Sequence, residues 1–337
     1  MTTETEPLAL TDAETLIAAA LRAAGAVASN ASSVAAALVA AEAEGQVGHG
    51  FSRLADYAAQ VRSGKVNGAA VPCLVASDPA ALHVDAGDGF AYPALDLAVA
   101  EVSKAAAELG CATVSVTRSH HCGALSVQVA RIAEKGLVGL MVANSPAAMA
   151  PWGAHAPLFG TNPIAFAAPR SNGDPLVIDL SLSRVARGKV MHAKKTGQTI
   201  PEGWALDASG QPTTDPDAAL AGSMIPIGEA KGSALALIVE ILAAVLAGAN
   251  ASADVNSFFT PDGPPSGAGQ FLMALRPQDS EGFTRRLEAV LGAIDALDGA
   301  RLPGARRASS LAEAQVNGIA VPAVYVAKAR EIAGAPV

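Results

Sequence analysis

His49 lies in Gly48-His49-Gly50, and Arg53 follows closely in the same stretch. Glycines on both sides strip bulk from around the imidazole and leave it reachable. A guanidinium in the first turn of a following helix can hold a carboxylate by two parallel hydrogen bonds, where free N–H groups already favour anions. An imidazole titrates near neutrality and can give or take a proton. Together the two groups can orient a 2-oxo acid and protonate its carbonyl oxygen. The same spacing also suits a structural pair, with Arg53 bridged to an acid and His49 closing a turn, and spacing does not separate the two readings.

His120 and His121 stand beyond a strand that ends near Arg118 and before Gly123, where a helix opens. Open α/β sheets bind ligands outside the carboxyl ends of strands; an imidazole bonded into the turn is the structural alternative. Adjacent histidines point different ways and no third ligand sits at helical spacing, so no metal site is expected. Gly160-Thr161-Asn162-Pro163 is a tight turn whose hydroxyl and amide can meet a substrate or a neighbouring backbone. Asp179 can accept ribose hydroxyls or cap the next helix. Lys189 and Lys231 can meet phosphates or stand as solvated charges, and His83 and His192 read as surface or packing residues.

The elements that must position these groups follow from local pattern. Thr11-Asp12-Ala13-Glu14 has capping-box spacing and predicts a helix to about Ala24, ended by Gly25. A second helix runs from about Ser32 to Ala43. Phe51, Leu54, Tyr57, Ala58 and Val61 recur at helical spacing in a third, capped by Ser52 and stopped by Gly64. Alternation then begins: a strand at Leu82-His83-Val84, a helix from Pro93 to Leu109, a strand from Cys111 to Thr117, a helix from Gly123 to Ala133 and a strand from Leu137 to Ala143. That is the βαβ rhythm of a layered α/β protein. Strands at 164–168, 176–180 and 270–275, and helices at 182–193, 231–247 and 280–297 with a terminal helical stretch, complete the pattern. Gln198 to Pro226 lacks apolar periodicity and reads as a long ordered loop. The chain divides into a helical N-terminal part (1–75), an α/β core (76–275) and a C-terminal part (276–337) that returns to the core.

Composition narrows the function. The 337 residues are 51% hydrophobic and 16% charged with a formal net charge of −8, which suits a large buried core and argues against a nucleic-acid partner. Cys73, Cys111 and Cys122 form neither a disulfide framework nor a zinc motif. The apolar run from Ala234 to Ala249 is interrupted by Glu240 and is shorter than the roughly 20 residues a bilayer needs, so it reads as a buried helix and no membrane partner is expected. Met1 to Glu6 lacks the basic-then-apolar order of a secretory signal, and a reducing cytoplasm is the expected location. No GxGxxG follows a strand and no GxxxxGK[ST] occurs, which leaves an ordinary Rossmann or P-loop site unsupported.

Taken in order, a set of short motifs resembles the malate/L-lactate dehydrogenase family of non-Rossmann NAD(P)-dependent oxidoreductases. They are Gly48-His49-Gly50-Phe51-Ser52-Arg53-Leu54, Ser119-His120-His121-Cys122-Gly123, Asn144-Ser145-Pro146, Ala150-Pro151-Trp152-Gly153 and Gly160-Thr161-Asn162-Pro163-Ile164-Ala165. The series continues through Ala186-Arg187-Gly188-Lys189, Pro201-Glu202-Gly203-Trp204, Pro212-Thr213-Thr214-Asp215-Pro216, Lys231-Gly232 and Leu302-Pro303-Gly304, and so spans nearly the whole chain.

The resemblance implies a three-layer α/β/α core with a mixed sheet and a homodimer whose active sites lie near the subunit interface. It implies His49 as acid/base, with Arg53, Thr161 and Arg187 on the substrate. It further implies that His121, Cys122, Gly123, Ala124, Leu125, Asp179, Leu180, Ser181, Lys231, Gly232, Arg306 and Arg307 meet the cofactor. That cofactor is NAD or NADP, with NADPH favoured. The implied reaction interconverts a 2-oxo acid and a 2-hydroxy acid of the sulfolactate, malate or lactate kind. A reductase of piperideine-2-carboxylate or pyrroline-2-carboxylate is the alternative, and a non-catalytic cofactor-binding homologue a third reading. Four positions depart from the family: Gly48 for serine, Cys122 for an aromatic, Glu229 for glycine and Ala305 for glutamate. Lys189 stands where the imine reductases tend to carry aspartate, whereas the double histidine and Lys231-Gly232-Ser233-Ala234 resemble that branch.

Overall fold

Small and aliphatic residues at helical spacing build the first unit. β1 (Thr5–Leu8) leads into α1 (Leu10–Ala24) and α2 (Ala28–Ala43); two 3₁₀ turns, Val47–His49 and Phe51–Arg53, carry the chain into α3 (Leu54–Ser63). Ile17, Leu21, Leu38, Leu54 and Tyr57 meet in one buried cluster. Gly25 and Gly64 end α1 and α3 in the left-handed conformation, as expected. The starts differ from expectation. The capping box does not form, because α1 begins at Leu10 after Ala9 with no side-chain cap. Ser52 Oγ donates to the Val47 carbonyl (2.7 Å) and a 3₁₀ turn occupies what the sequence assigns to the first turn of α3. The computed structural model describes residues 4–171 and 173–334; the side chains of Ala76, Ser77, His192 and Lys195, and with them the reading of His192, lie outside the described residues.

β2 (Cys73–Asp78), β3 (Ala81–Asp85), α4 (Ala91–Leu109), β4 (Cys111–Ser119), α5 (Leu125–Ala133), β5 (Val138–Ala143), β6 (Ile164–Ala168) and β7 (Leu176–Leu180) follow. Then come α6 (Arg187–Thr196), β8 (Ala205–Leu206), β9 (Pro212–Thr213), α7 (Pro216–Ala221), β10 (Ser223–Met224), α8 (Ala230–Glu240) with a π-helical continuation over Ile241–Leu246, and β11 (Ala268–Leu275). The central sheet has the order β2-β3-β4-β11-β5-β6-β7. Its β3–β4 pair is parallel and every other neighbouring pair antiparallel. β4 and β5 run the same way, as their βαβ pattern requires, but β11 inserts between them with Leu272 opposite both Val114 and Met141. Period-2 alternation sorts the layers. Met141 and Leu272 face the cluster beneath α4 and α5, whereas Val142 and Phe271 face the one beneath α6, α7 and α8. The architecture is thus the expected three-layer α/β/α with a mixed sheet.

Three readings are corrected. Residues 198–226 hold β8, β9, β10 and α7, with the strands in a small sheet of order β10-β8-β9; strands of two residues carry too few alternations to register as a period. The helix expected over 182–193 starts only at Arg187, because Leu182 N–H and Arg184 N–H are taken by the Thr161 and Ile225 carbonyls. The apolar run expected to be a buried helix buries one side only. Leu235, Leu237, Ile238, Ile241, Val245 and Leu246 form an exposed apolar face, with Val245 at 70% exposure. Glu240 is tolerated there because its carboxylate accepts from Asn162 Nδ2 (2.9 Å), Ser252 N–H (2.5 Å) and Ser252 Oγ (2.7 Å).

The C-terminal part comprises α9 (Ser280–Asp295), α10 (Ala305–Asn317), β12 (Ile319–Pro322) and α11 (Ala323–Ala333). α9 is tied by Glu288 to Arg170 beyond β6. β12 pairs antiparallel with β1, and Val321, Val326 and Ile332 enter the N-terminal helical cluster instead of returning to the sheet. Among the described residues no helix is long and apolar enough to cross a membrane.

Candidate active site

The turn that carries His49 and Arg53 is held by a buried carboxyl at the end of α2. Glu42 Oε2 accepts from Phe51 N–H (2.8 Å), and a Cβ at Gly50 would lie 1.8 Å from that oxygen, so a side chain there would displace the carboxylate from the turn. Burial pushes the Glu42 pKa up to about 7. Arg53 Nε donates to the Gly48 carbonyl (2.7 Å) and its guanidinium lies 4.5 Å over the Phe259 ring, which fixes where the charge sits.

His49 stacks on His121, with ring centroids 5.3 Å apart and planes 18° from parallel. Its Nδ1 is buried without a partner while the residue as a whole is only half-buried, so the Nε2 edge is the side open to a ligand. Burial, and then the charge of Arg53, push the His49 pKa down to about 3, and the ring is neutral at pH 7. The structure thus brings together the imidazole and guanidinium that the sequence singled out.

Behind them is a wall that the sequence reading missed. Tyr57 Oη lies 2.6 Å from His121 Nδ1 and 3.0 Å from Tyr92 Oη. Phe258 packs on both His120 and His121, at 5.3 and 5.1 Å. Burial first and Arg53 second hold the His121 pKa well below its usual value. His120 turns the other way, its Nε2 2.6 Å from Gln60 Oε1, and Gln60 Nε2 donates to the Phe258 carbonyl (2.8 Å). Lys65 Nζ donates to the carbonyls of Ser257, Thr260 and Asp262 at 2.8 to 2.9 Å, tying the aromatic loop to α3. Tyr57 and its neighbours on α3 had registered only as an apolar face, since the loop that meets them is distant in sequence.

The remaining candidates separate into groups. Cys122, Ala124 and Leu125 are buried, and burial raises the Cys122 thiol to about 12, so this turn offers a ligand backbone and not side chains. Asp179 caps α5 by accepting from Ser126 N–H (2.9 Å), where the sequence allowed ribose binding or a cap on the following helix. Arg307, expected at the cofactor, pairs with buried Glu44 (3.1 Å) and is largely enclosed, whereas Arg306 is exposed. Thr161 N–H donates to Ser145 Oγ (3.2 Å) and Arg187 Nη1 to the Ala147 carbonyl (3.3 Å); no hydrogen bond or ring contact among the described residues joins either to His49. Gly232 packs under the Ile227 carbonyl, and Lys231 is exposed. Glu229, at the departure from glycine, has φ +58° and ψ −121°, which for a residue with a Cβ costs on the order of 1–3 kcal/mol.

The cofactor candidates Asp179 and Leu180 end β7, the edge strand of the sheet, and Ser181 follows it; all three are half-buried or exposed. The start of α10 abuts the middle of β7, since a Cβ on Gly304 would lie 2.4 Å from the Val177 carbonyl. The start of α8 abuts the chain just past its end, where Ile227 N–H donates to the Leu182 carbonyl (2.8 Å). From Val177 to Leu182 an extended chain spans roughly 16 Å at about 3.3 Å per residue, with a helix N-terminus and an exposed cation (Arg306, Lys231) at each end. A cavity of about 460 Å³, lined in part by Trp152, Arg184, Pro226 and Glu229, opens beside the α8 end.

The family model for malate/L-lactate dehydrogenase matches residues 8–329. A (2R)-3-sulfolactate dehydrogenase (NADP(+)) from Chromohalobacter salexigens is 50% identical over 301 residues, covering 89% of this chain and 90% of that one. A Δ1-pyrroline-2-carboxylate/Δ1-piperideine-2-carboxylate reductase from Pseudomonas putida is 40% identical over 299 residues, covering 87% of each. The crystal structure of Δ1-piperideine-2-carboxylate reductase from Pseudomonas syringae pvar. tomato superposes with a TM-score of 0.91 at 36% identity, over 97% of this chain and 100% of that one. The chain is an NAD(P)-dependent oxidoreductase and belongs to the malate/L-lactate dehydrogenase family.

Proposed function

We propose that the chain interconverts a 2-oxo acid and its 2-hydroxy acid, of the sulfolactate class before malate or lactate, with NADPH favoured over NADH and His49 as the proton carrier. The observation that carries this reading is the half-buried imidazole of His49 coupled electrostatically to Arg53 on one short turn. When bound, the reduced nicotinamide supplies hydride to the carbon beside the carboxylate. Lys231 and Arg306 hold its charged groups, with the 179–181 segment between them.

Arg53 holds the substrate carboxylate, and Thr161 and Arg187 orient the rest. Orientation of this kind is worth about 7–11 kcal/mol of barrier and a placed acid a factor of roughly 10²–10⁴. In the free protein His49 is neutral and ready as a base for alcohol oxidation. A carboxylate against Arg53 offsets the second cause of the lowered pKa, the charge of Arg53, and in that respect favours the protonated ring that reduction needs.

Identity of 50% to the sulfolactate enzyme against 40% to the imine reductase supports the oxo acid, as does Lys189 in the stretch 186–189. The imine reductase similarity supports the second reading, reduction of a cyclic C=N bond. Oxidation of NADH and NADPH followed in parallel with pyruvate, oxaloacetate, sulfopyruvate and piperideine-2-carboxylate separates the two. Loss of cofactor oxidation with all four, while cofactor still binds, marks the non-catalytic homologue. His49→Ala removes at least 100-fold of turnover while sparing cofactor binding; near-normal turnover refutes the role.

The exposed apolar face of α8 supports a homodimer, in which a second copy covers Ile238, Ile241 and Val245. Cys73 and Cys111 are exposed unpaired thiols, which supports a reducing cytoplasm that cell fractionation checks. Cofactor binding is assigned to the 76–275 core together with the first turn of α10.

A further inference from the structure

Two buried tyrosines and the half-buried His121 form a line behind the site: Tyr92 Oη, Tyr57 Oη and His121 Nδ1, with separations of 3.0 and 2.6 Å. Both phenols are fully enclosed and burial raises their pKa values, so each carries its proton. Two links must therefore be made by two phenol protons and the single proton of a neutral imidazole. If Nδ1 of His121 carries that proton, it donates to Tyr57 and Tyr57 donates to Tyr92. The Tyr92 proton is then left without an acceptor among the described residues, in a place where Gly123 comes so close that a Cβ there would lie 2.6 Å from Tyr92 Oη. If Nδ1 accepts, Tyr92 donates to Tyr57, Tyr57 donates to His121, and both phenol protons have partners; the imidazole proton then sits on Nε2, which is not among the buried atoms left without one.

We propose that Tyr57, backed by Tyr92, is a positioning residue that locks His121 as the Nε2–H tautomer. His121 then presents a fixed, uncharged hydrogen-bond donor beside His49. The two rings stack with centroids 5.3 Å apart and planes 18° from parallel. Because His121 is only half-buried and its Nδ1 is engaged, its Nε2–H is the edge left for a ligand. The inference rests on the proposed oxo-acid or imine chemistry for its consequence, in which one donor polarises the reacting C=O or C=N bond while the other carries the proton. The tautomer itself is independent of that chemistry.

The test is ¹⁵N spectroscopy of the histidine-labelled full chain, with the His121 signals assigned by their loss in His121→Asn. The expected result is an unprotonated Nδ1 and a protonated Nε2 in the wild type, and a mixture of tautomers in Tyr57→Phe. In the same variant kcat falls about tenfold or more, the NADPH dissociation constant from fluorescence titration stays within twofold, and the melting temperature changes little. Tyr92→Phe, which leaves the Tyr57–His121 bond in place, gives a smaller loss of kcat. A wild-type Nδ1–H tautomer overturns the proposal, as does a Tyr57→Phe variant with unchanged tautomer and kcat. A wild type that shows the Nε2–H tautomer but turns over none of the substrates leaves the tautomer lock standing and removes the proposed reaction instead.

Discussion

Glu42 makes the turn under the active site a pH-sensitive part of the fold. Its carboxyl moves from an ordinary 4.5 to about 7 on folding, chiefly through burial, with the Phe51 N–H bond opposing. A raised carboxyl contributes stability that is fully present below 4.5 and is lost as pH rises through about 7, because the unfolded chain gives up its proton first. At about 1.4 kcal/mol for each tenfold change in proton affinity, the whole contribution is about 3 kcal/mol, of which about 2.5 kcal/mol disappears between pH 5 and pH 8. Glu42→Gln keeps a carbonyl oxygen to accept from Phe51 N–H and removes the titration. Denaturant unfolding of both proteins at pH 5 and pH 8, at one protein concentration, isolates the difference. Glu44 and Asp179 are also raised by burial, and their contributions cancel between the two proteins. The wild type is expected to lose about 2.5 kcal/mol more than the variant over this interval. Equal losses refute the account of a carboxyl forced toward neutrality beneath the turn.

Three other expectations concern Arg306, its neighbour Arg307 and the exposed helix. Arg306→Ala weakens NADPH binding about tenfold in a fluorescence titration and leaves NADH within about twofold, the loss of one exposed cation against a 2′-phosphate; equal weakening of both cofactors refutes that role. Arg307→Ala instead lowers stability by about 1–3 kcal/mol in denaturant unfolding, because the largely enclosed Glu44 loses its cation and keeps the Ser126 and Gln46 hydrogen bonds; unchanged stability refutes a structural role for the pair. Val245→Glu converts a dimer to a monomer in sedimentation experiments, since a charge placed at the most exposed position of this apolar face has no partner there; a wild type that already sediments as a monomer refutes the dimer.

Much of the site was legible because its chemistry is local. His49 and Arg53 share one turn, and the flanking glycines announce it, down to the close approach of Glu42 at Gly50. Helix ends at Gly25 and Gly64 were equally plain, since the left-handed conformation selects glycine. The capping box at Thr11 misled because a cap is optional where packing already fixes the helix start. Arg306 and Arg307 were not separable in the sequence for a related reason. Two adjacent arginines look alike in one dimension, and only the position of Glu44 in space decides that one is spent inside the fold and the other faces outward.

Order and residue type alone determined the layered α/β class, the 48–53 turn with its imidazole and guanidinium, and the family, because strand and helix periods and that turn are properties of neighbouring residues. Tertiary structure decided the rest. It slid β11 between β4 and β5, brought the Phe258–Phe259 loop against α3 and aimed two adjacent histidines at different partners. It also left half of an apolar helix uncovered. These are contacts between segments far apart in the chain, chosen by how whole faces pack, and no local pattern encodes which distant face will arrive.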